Sequence, residues 1–320
     1  MKKPSKRTLR AAAVLVVAAA AVGGLLLLNF YYKIDRSFRC VEVPQDPAVW
    51  QMVRNLDSDG KKSTRYDLYL PQPADSVRNY SLILYIHGGS FTGGDKREGR
   101  HICPYYASKG LVAASVNYTL YRGPGTANLF SLYDEIISTT YAIKDECAKR
   151  GYNITEMAFT GFSAGGYTAL LCAYKNPNAA AVPVKFVFEQ SAPASFEPDL
   201  WGKKSDKRRA AFISLLTGKK YTADDVGTET FQEAVNAISP SAMVSAETVP
   251  TVLAYGPHDW RVPPAQKFPL LENLEKYKVP HDYIEFPHSG HRLFDDLDRS
   301  EVYFRTVDTY IERYFDNFKK

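Results

Sequence analysis

Cysteine, methionine, tryptophan and histidine are scarce in this chain, at 4, 4, 3 and 6 of 320 residues. Four cysteines are far too few for a disulfide-held scaffold, so stability must come from a hydrophobic core. They stand at 40, 103, 147 and 172. Cys172 follows Leu170 and Leu171 and reads as a buried free thiol, while a Cys103–Cys147 bridge between two outer helices stays open. The histidines, at 87, 101, 258, 281, 288 and 291, fall at no recognised metal-ligand spacing, so no metal is expected. Internal repeats and low-complexity tracts are absent, which argues against solenoids and disordered scaffolds.

Net charge is also missing from most of the chain. Lys2, Lys3, Lys6, Arg7 and Arg10 supply the whole formal +5, leaving 35 basic and 35 acidic residues beyond them. The basic run Lys203-Lys204-Ser205-Asp206-Lys207-Arg208-Arg209 lacks interleaved aromatics and reads as a solvated helix start, so nucleic acid is not an expected partner. Those first five basic residues precede eighteen consecutive apolar or glycine residues, Ala11 to Leu28. A run of that length behind positive charge predicts a signal anchor over residues 1–32, with the rest of the chain outside the cytoplasm. Ala18 to Ala20 offers a small-residue cleavage site, so secretion after cleavage is the alternative. Residues 33–60 are mixed and polar and end in the turn signal Asp57-Ser58-Asp59-Gly60, as a stalk or linker with a first strand would.

From residue 61 onward, strand-like runs alternate with helical ones. Tyr66 to Leu70, Leu82 to Ile86 and Leu111 to Val116 are strand-like, Phe130 to Cys147 is helical, and Ile154 to Phe162 and Lys185 to Phe188 are strand-like again. This predicts an α/β fold, a mostly parallel sheet flanked by helices, over residues 61–320. About fifty residues separate Ala192 from Pro250, more than a simple connection needs, and helical stretches at Lys207 to Leu216 and Thr230 to Ala237 predict a small helical cap over 193–249. Its aromatics Phe196, Trp201, Phe212 and Phe231 either pack together or line a pocket.

The most informative residues are Gly161-Phe162-Ser163-Ala164-Gly165-Gly166, between the strand-like run ending at Phe162 and the helical Ala164 to Tyr174. G-x-S-x-G at such a junction is a nucleophile elbow, which exposes the serine hydroxyl above the sheet. Ser163 is therefore the candidate nucleophile. A hydroxyl needs a base, and the base an orienting carboxylate. His291, after strand-like Tyr283 to Phe286, is the expected base, and Asp259, after the apolar run Val252 to Tyr255, the expected acid. The order Ser163, Asp259, His291 is that of an α/β-hydrolase triad. His288 is the rival base but reads as a structural hydrogen-bonding histidine. Asp295, Asp296 and Asp298 read as solvated carboxylates at a helix start. His87-Gly88-Gly89-Ser90-Phe91, closing the run Leu82 to Ile86, reads as an oxyanion loop with Gly88, Gly89 and Ala164 as amide donors. Phe91, Tyr118, Tyr121, Glu189 and Gln190 fall near strand C-termini, where an α/β sheet places ligands, and are candidate substrate contacts.

The segments HGGSFTGGDK (His87 to Lys96), NYTL (Asn117 to Leu120), GFSAGG and GPHDWRVP resemble the BD-FAE-like esterases, relatives of the hormone-sensitive-lipase group within the α/β-hydrolases. The resemblance spans roughly residues 61 to 320. It implies a cofactor-free serine esterase of bacterial type, often acting on acyl groups attached to carbohydrate, with Ser163, Asp259 and His291 as triad. This chain departs from the family by Ser90 and Phe91, where many members have a third glycine and a tryptophan, and by Phe162, where the lipase-like branch has an acidic residue. The first departure changes the acyl pocket; the second favours the carbohydrate-esterase side. A small-molecule or carbohydrate ester is the expected substrate. A serine peptidase or amidase of the same fold, or a catalytically silent binding module, is the alternative.

Overall fold

The computed structural model describes residues 43–202 and 205–319. The expected anchor over 1–32, the first part of the 33–60 segment and Cys40 lie outside the described residues. Eight strands form one sheet: β1 (Trp50–Leu56), β2 (Tyr66–Pro71), β3 (Asn79–Ile86), β4 (Val112–Val116), β5 (Asn153–Phe162), β6 (Val184–Gln190), β7 (Thr251–Tyr255) and β8 (His281–Glu285). Their spatial order is β1-β2-β4-β3-β5-β6-β7-β8. The first three in that order pair antiparallel, and every pair from β4–β3 to β7–β8 is parallel. This is the α/β-hydrolase arrangement that the strand and helix alternation predicts.

The helices are α1 (Cys103–Ser108), α2 (Leu129–Lys149), α3 (Ala164–Lys175), α4 (Asp206–Thr217), α5 (Glu229–Asn236), α6 (Pro240–Met243), α7 (Lys267–Lys276) and α8 (Leu297–Tyr314). Strand periodicity divides the core in two, because successive side chains point to opposite faces. Leu82, Leu84 and Ile86 of β3 face α2, α3 and α7, while Ile83 and Tyr85 join the cluster containing α1 and α8. Both faces of β3 are therefore dry, as its nearly unbroken apolar run requires. Asn128 starts α2 by accepting the Phe130 and Ser131 amides, which removes two of the helix's unpaired donors.

The 193–249 segment is not a separate lobe. Phe196, Ile213, Leu216, Phe231, Val235 and Ile238 continue the core on the α3 face. Phe196 stacks on Trp201 at 5.7 Å, and both rings contact Phe212, so these aromatics pack mainly together. The Tyr167 hydroxyl on α3 donates to the Ile238 carbonyl at 2.9 Å and ties the segment to the helix behind Ser163. Cys103, Cys147 and Cys172 are all free and buried, so the open Cys103–Cys147 bridge is not formed. Among the described residues, no helix is long and apolar enough to cross a membrane.

Candidate active site

Parallel strands in register bring their C-terminal ends to one edge. Ile86 pairs with Gly161, Phe162 with Gln190, and Gln190 with Ala254. The loops after β3, β5, β7 and β8 consequently open on the same side of the sheet, where α/β proteins place their ligands.

Ser163 joins β5 to α3 at φ 56° and ψ −122°. That is a sparsely populated conformation for a residue with a side chain, costing on the order of 1–3 kcal/mol, and the surroundings hold it there. Its amide donates to the Gln190 carbonyl at 2.8 Å, and its carbonyl accepts the Tyr167 amide at 2.9 Å. Close approach of backbone dictates the flanking glycines: a Cβ on Gly165 would collide with the Ile86 carbonyl oxygen, and one on Gly161 would lie 2.6 Å from that same atom.

The Ser163 hydroxyl lies 2.9 Å from His291 Nε2, and His291 Nδ1 lies 2.6 Å from Asp259 Oδ2. The Asp259 side chain is buried and His291 is partly so. The other carboxylate oxygen, Asp259 Oδ1, accepts the Arg261 and Val262 amides at 2.8 and 2.9 Å, which fixes the carboxylate's direction. The two loops are joined by the His258 amide, which donates to the Ser289 carbonyl at 3.2 Å. In this arrangement His291 Nδ1 carries a proton toward the carboxylate, and Nε2 is free to take the serine proton.

His288 lies elsewhere. Its side chain is 79% exposed and its Nδ1 lies 2.6 Å from Asp296 Oδ1. Asp296 corrects the expectation of a solvated carboxylate: it is buried and also accepts the Ser289 hydroxyl at 2.6 Å and the His288 amide. Burial works against its ionisation, but the hydrogen bonds from Ser289 and His288 hold its pKa below the usual range. Asp296 thereby braces the turn that presents His291. Spacing alone gave no signal for this role, because three aspartates crowd the same stretch.

The loop after β3 folds back on itself. The Gly89 carbonyl accepts the Thr92 and Gly93 amides, and Gly89 has φ 119°. Ser90 and Phe91 follow at φ 54° and 62°, in the left-handed region that glycine occupies without strain, so the loop is held at a conformational cost. Gly88 packs against Phe162 and Ser163. Its amide also serves the carboxyl of Glu98, whose pKa burial raises while Arg292 and that amide oppose the rise. His87 is buried, which lowers its pKa, and its Nδ1 lies 2.7 Å from the Gly88 carbonyl.

Two of the expected substrate contacts are corrected. Tyr118 is 1% exposed, stacks on His87 at 4.3 Å and donates its hydroxyl to the His87 carbonyl at 3.0 Å, so it supports the loop after β3 from behind. Glu189 is fully buried beneath α3 and accepts the Ala192 amide at 2.7 Å; burial pushes its pKa up to about 8. Gln190 and Tyr121 remain half-exposed at the strand edge. Phe91 is half-buried, with its ring edge-on to Tyr167 at 5.5 Å. It also walls a mostly apolar cleft of ≈ 40 Å³ with Ser90, Leu129, Leu132, Leu215 and Leu216. Among the described residues, no cluster of three His, Cys, Asp or Glu side chains is arranged to hold a metal ion.

Solved structures with this architecture include esterase B from Lactobacillus rhamnosis, at 19% identity and a TM-score of 0.66, covering 92% of this chain and 97% of that one. A truncated carbohydrate esterase from gut microbiota is 18% identical, with a TM-score of 0.66 and coverage of 85% and 99%. A thermophilic esterase from the Planctomycetes species Thermogutta terrifontis is 17% identical, with a TM-score of 0.64 and coverage of 85% and 94%. At such identities the likeness concerns the fold. No curated protein matches the sequence significantly. The BD-FAE family pattern matches residues 66–274, which hold the loop after β3, Ser163 and Asp259, and on that match the chain belongs to the BD-FAE family.

Proposed function

We propose that this protein is a serine carboxylesterase that hydrolyses short-chain acyl esters, with acetyl groups on carbohydrate as the favoured class. The observation that carries the reading is the continuous relay from Ser163 Oγ through His291 to Asp259, at 2.9 and 2.6 Å. His291 Nε2 takes the Ser163 proton as Oγ bonds to the ester carbonyl carbon, and Asp259 stabilises the resulting imidazolium. The amides of Gly89 and Ala164 receive the charge that develops on the carbonyl oxygen, while the expected third donor, the Gly88 amide, is turned to Glu98. Collapse breaks the ester C–O bond, and His291 returns its proton to the departing alcohol, leaving the acyl group on Ser163. Water, deprotonated by His291, then attacks the acyl carbon; the carboxylic acid departs and Ser163 regains its proton. The scheme needs no cofactor.

Family membership and the esterases among the structural neighbours support ester over amide substrates. The carbohydrate esterase among those neighbours supports a sugar-borne ester for this chain. Residues 61–320 act in this reading as the catalytic domain, with 193–249 covering the α3 face as a cap. The N-terminal run, from the sequence alone, holds that domain to the membrane outside the cytoplasm. Full-length protein assayed on p-nitrophenyl acetate and on an aminoacyl p-nitroanilide tests the reaction class. Turnover confined to the ester is the expected result; faster cleavage of the amide would make the protein a peptidase.

A further inference from the structure

The two loops that flank Ser163 divide the site. The oxyanion loop follows β3 on one side of β5, and the Asp259 loop follows β7 on the other. The departing alcohol must take its proton from His291 Nε2, so the alcohol part of an ester lies toward the β7 side. The first residues met there after Asp259 are Trp260 and Arg261.

Trp260 is 78% exposed, whereas the other tryptophans, Trp50 and Trp201, place their indole N–H on the carbonyls of Pro44 and Ser195. Its backbone is nonetheless fixed, because the Arg261 and Val262 amides on either side of the next peptide are bonded to Asp259. An aromatic face held out to solvent on a fixed turn loses little freedom when a ligand stacks on it. The Arg261 guanidinium lies 4.6 Å from the Trp260 ring centroid. Among the described residues it has no carboxylate partner.

A second guanidinium lies on the same rim. Arg292 follows His291 and sits 5.9 Å from the ring centroid of Phe162, which itself lies 5.0 Å from the His291 ring. Burial lowers the Arg292 pKa, Glu98 opposes that, and the nearby Arg261 charge adds to the lowering. The Arg261 cation beside an open aromatic face suits an anion joined to a ring with a C–H-rich face.

Building on the esterase reading, we propose that Trp260 and Arg261 form a subsite for esters whose alcohol part is a saccharide bearing a carboxylate, a uronic acid residue. The indole carries the pyranose ring and Arg261 meets the carboxylate. The test compares two monoacetylated xylo-oligosaccharides, alike except that one carries a glucuronic acid branch, using full-length protein. The parent should prefer the acidic ester at least about fivefold in kcat/KM, with the preference fading at high salt. Arg261→Gln should bring that ratio to about one through KM on the acidic ester, and Arg261→Lys should restore part of it. Trp260→Ala should raise KM on both saccharides. Because the readout is a ratio, a general loss of activity in a variant does not mimic the result. Equal ratios in the parent and Arg261→Gln would overturn the subsite and leave the esterase reading standing; no ester turnover by the parent would overturn both.

Discussion

Two histidines three residues apart have opposite surroundings, and the difference is chemical. His291 is held between a buried carboxylate and a serine hydroxyl, while His288 faces solvent and braces its own turn through Asp296. Replacing His291 with Ala should lower kcat for aryl esters on the order of 10³-fold or more, whereas His288→Ala should keep most of the activity. Steady-state kinetics of the two variants decide it, and the reverse pattern would reassign the base. Glu189 shows what residue-level reading of the sequence misses. Its place near a strand end suggested a ligand contact, but alternate residues of a strand face opposite sides, and Glu189 shares the side of Val187, under α3. The same buried carboxyl makes a stability prediction. Burial raises its pKa in the folded state to about 8, above the ordinary 4.5 of an exposed carboxyl, so the folded state keeps a proton that the unfolded state releases. Stability should therefore fall as pH rises between those values, by about 1 kcal/mol per pH unit from this group, and level off above them. Glu189→Gln should flatten that slope in denaturant titrations across the window. An unchanged slope would mean that Glu189 ionises normally.

At the level of elements, the loops that carry Ser163, Asp259 and His291 were legible because each follows a strand-like run that ends abruptly at turn residues. The antiparallel start of the sheet and the short helix α1 were not, since pairing partners depend on contacts distant in sequence. The cap aromatics were ambiguous for a similar reason: an apolar ring is equally suited to a core and to a pocket, and only the stacking of Phe196 on Trp201 settles most of that surface as packing. Beside the loop after β3, Phe91 walls a narrow cleft. Each acyl methylene that fits gains about 0.8 kcal/mol by burial, but one that does not fit loses its place at the reacting carbon. With Phe91 braced on Tyr167, kcat/KM for p-nitrophenyl esters should peak from acetyl to butyryl and fall at least about tenfold at octanoyl. A maximum at eight carbons or beyond would contradict a confined acyl site.

As a whole molecule, the protein joins a charge-balanced catalytic body to a basic, apolar N-terminal run. If that run is a retained anchor, ester-hydrolysing activity should pellet with membranes and be released by proteolysis within residues 33–60; a soluble mature form beginning near Val22 would mean cleavage instead. The body shares its architecture with esterases at 17–19% identity over most of its length. Such distance preserves the sheet that brings four loops to one edge and leaves the rim free to vary, which is why function has to be argued from the site. The central claim is that Ser163 is the nucleophile, and covalent trapping tests it most directly. Full-length protein treated with an alkyl phosphonate ester should gain one adduct by intact mass, mapped to the peptide containing Ser163, with ester hydrolysis lost in proportion. Ser163→Ala should gain none and hydrolyse nothing measurable. An adduct of equal stoichiometry on the Ser163→Ala protein, or hydrolysis that survives the substitution, would contradict the account.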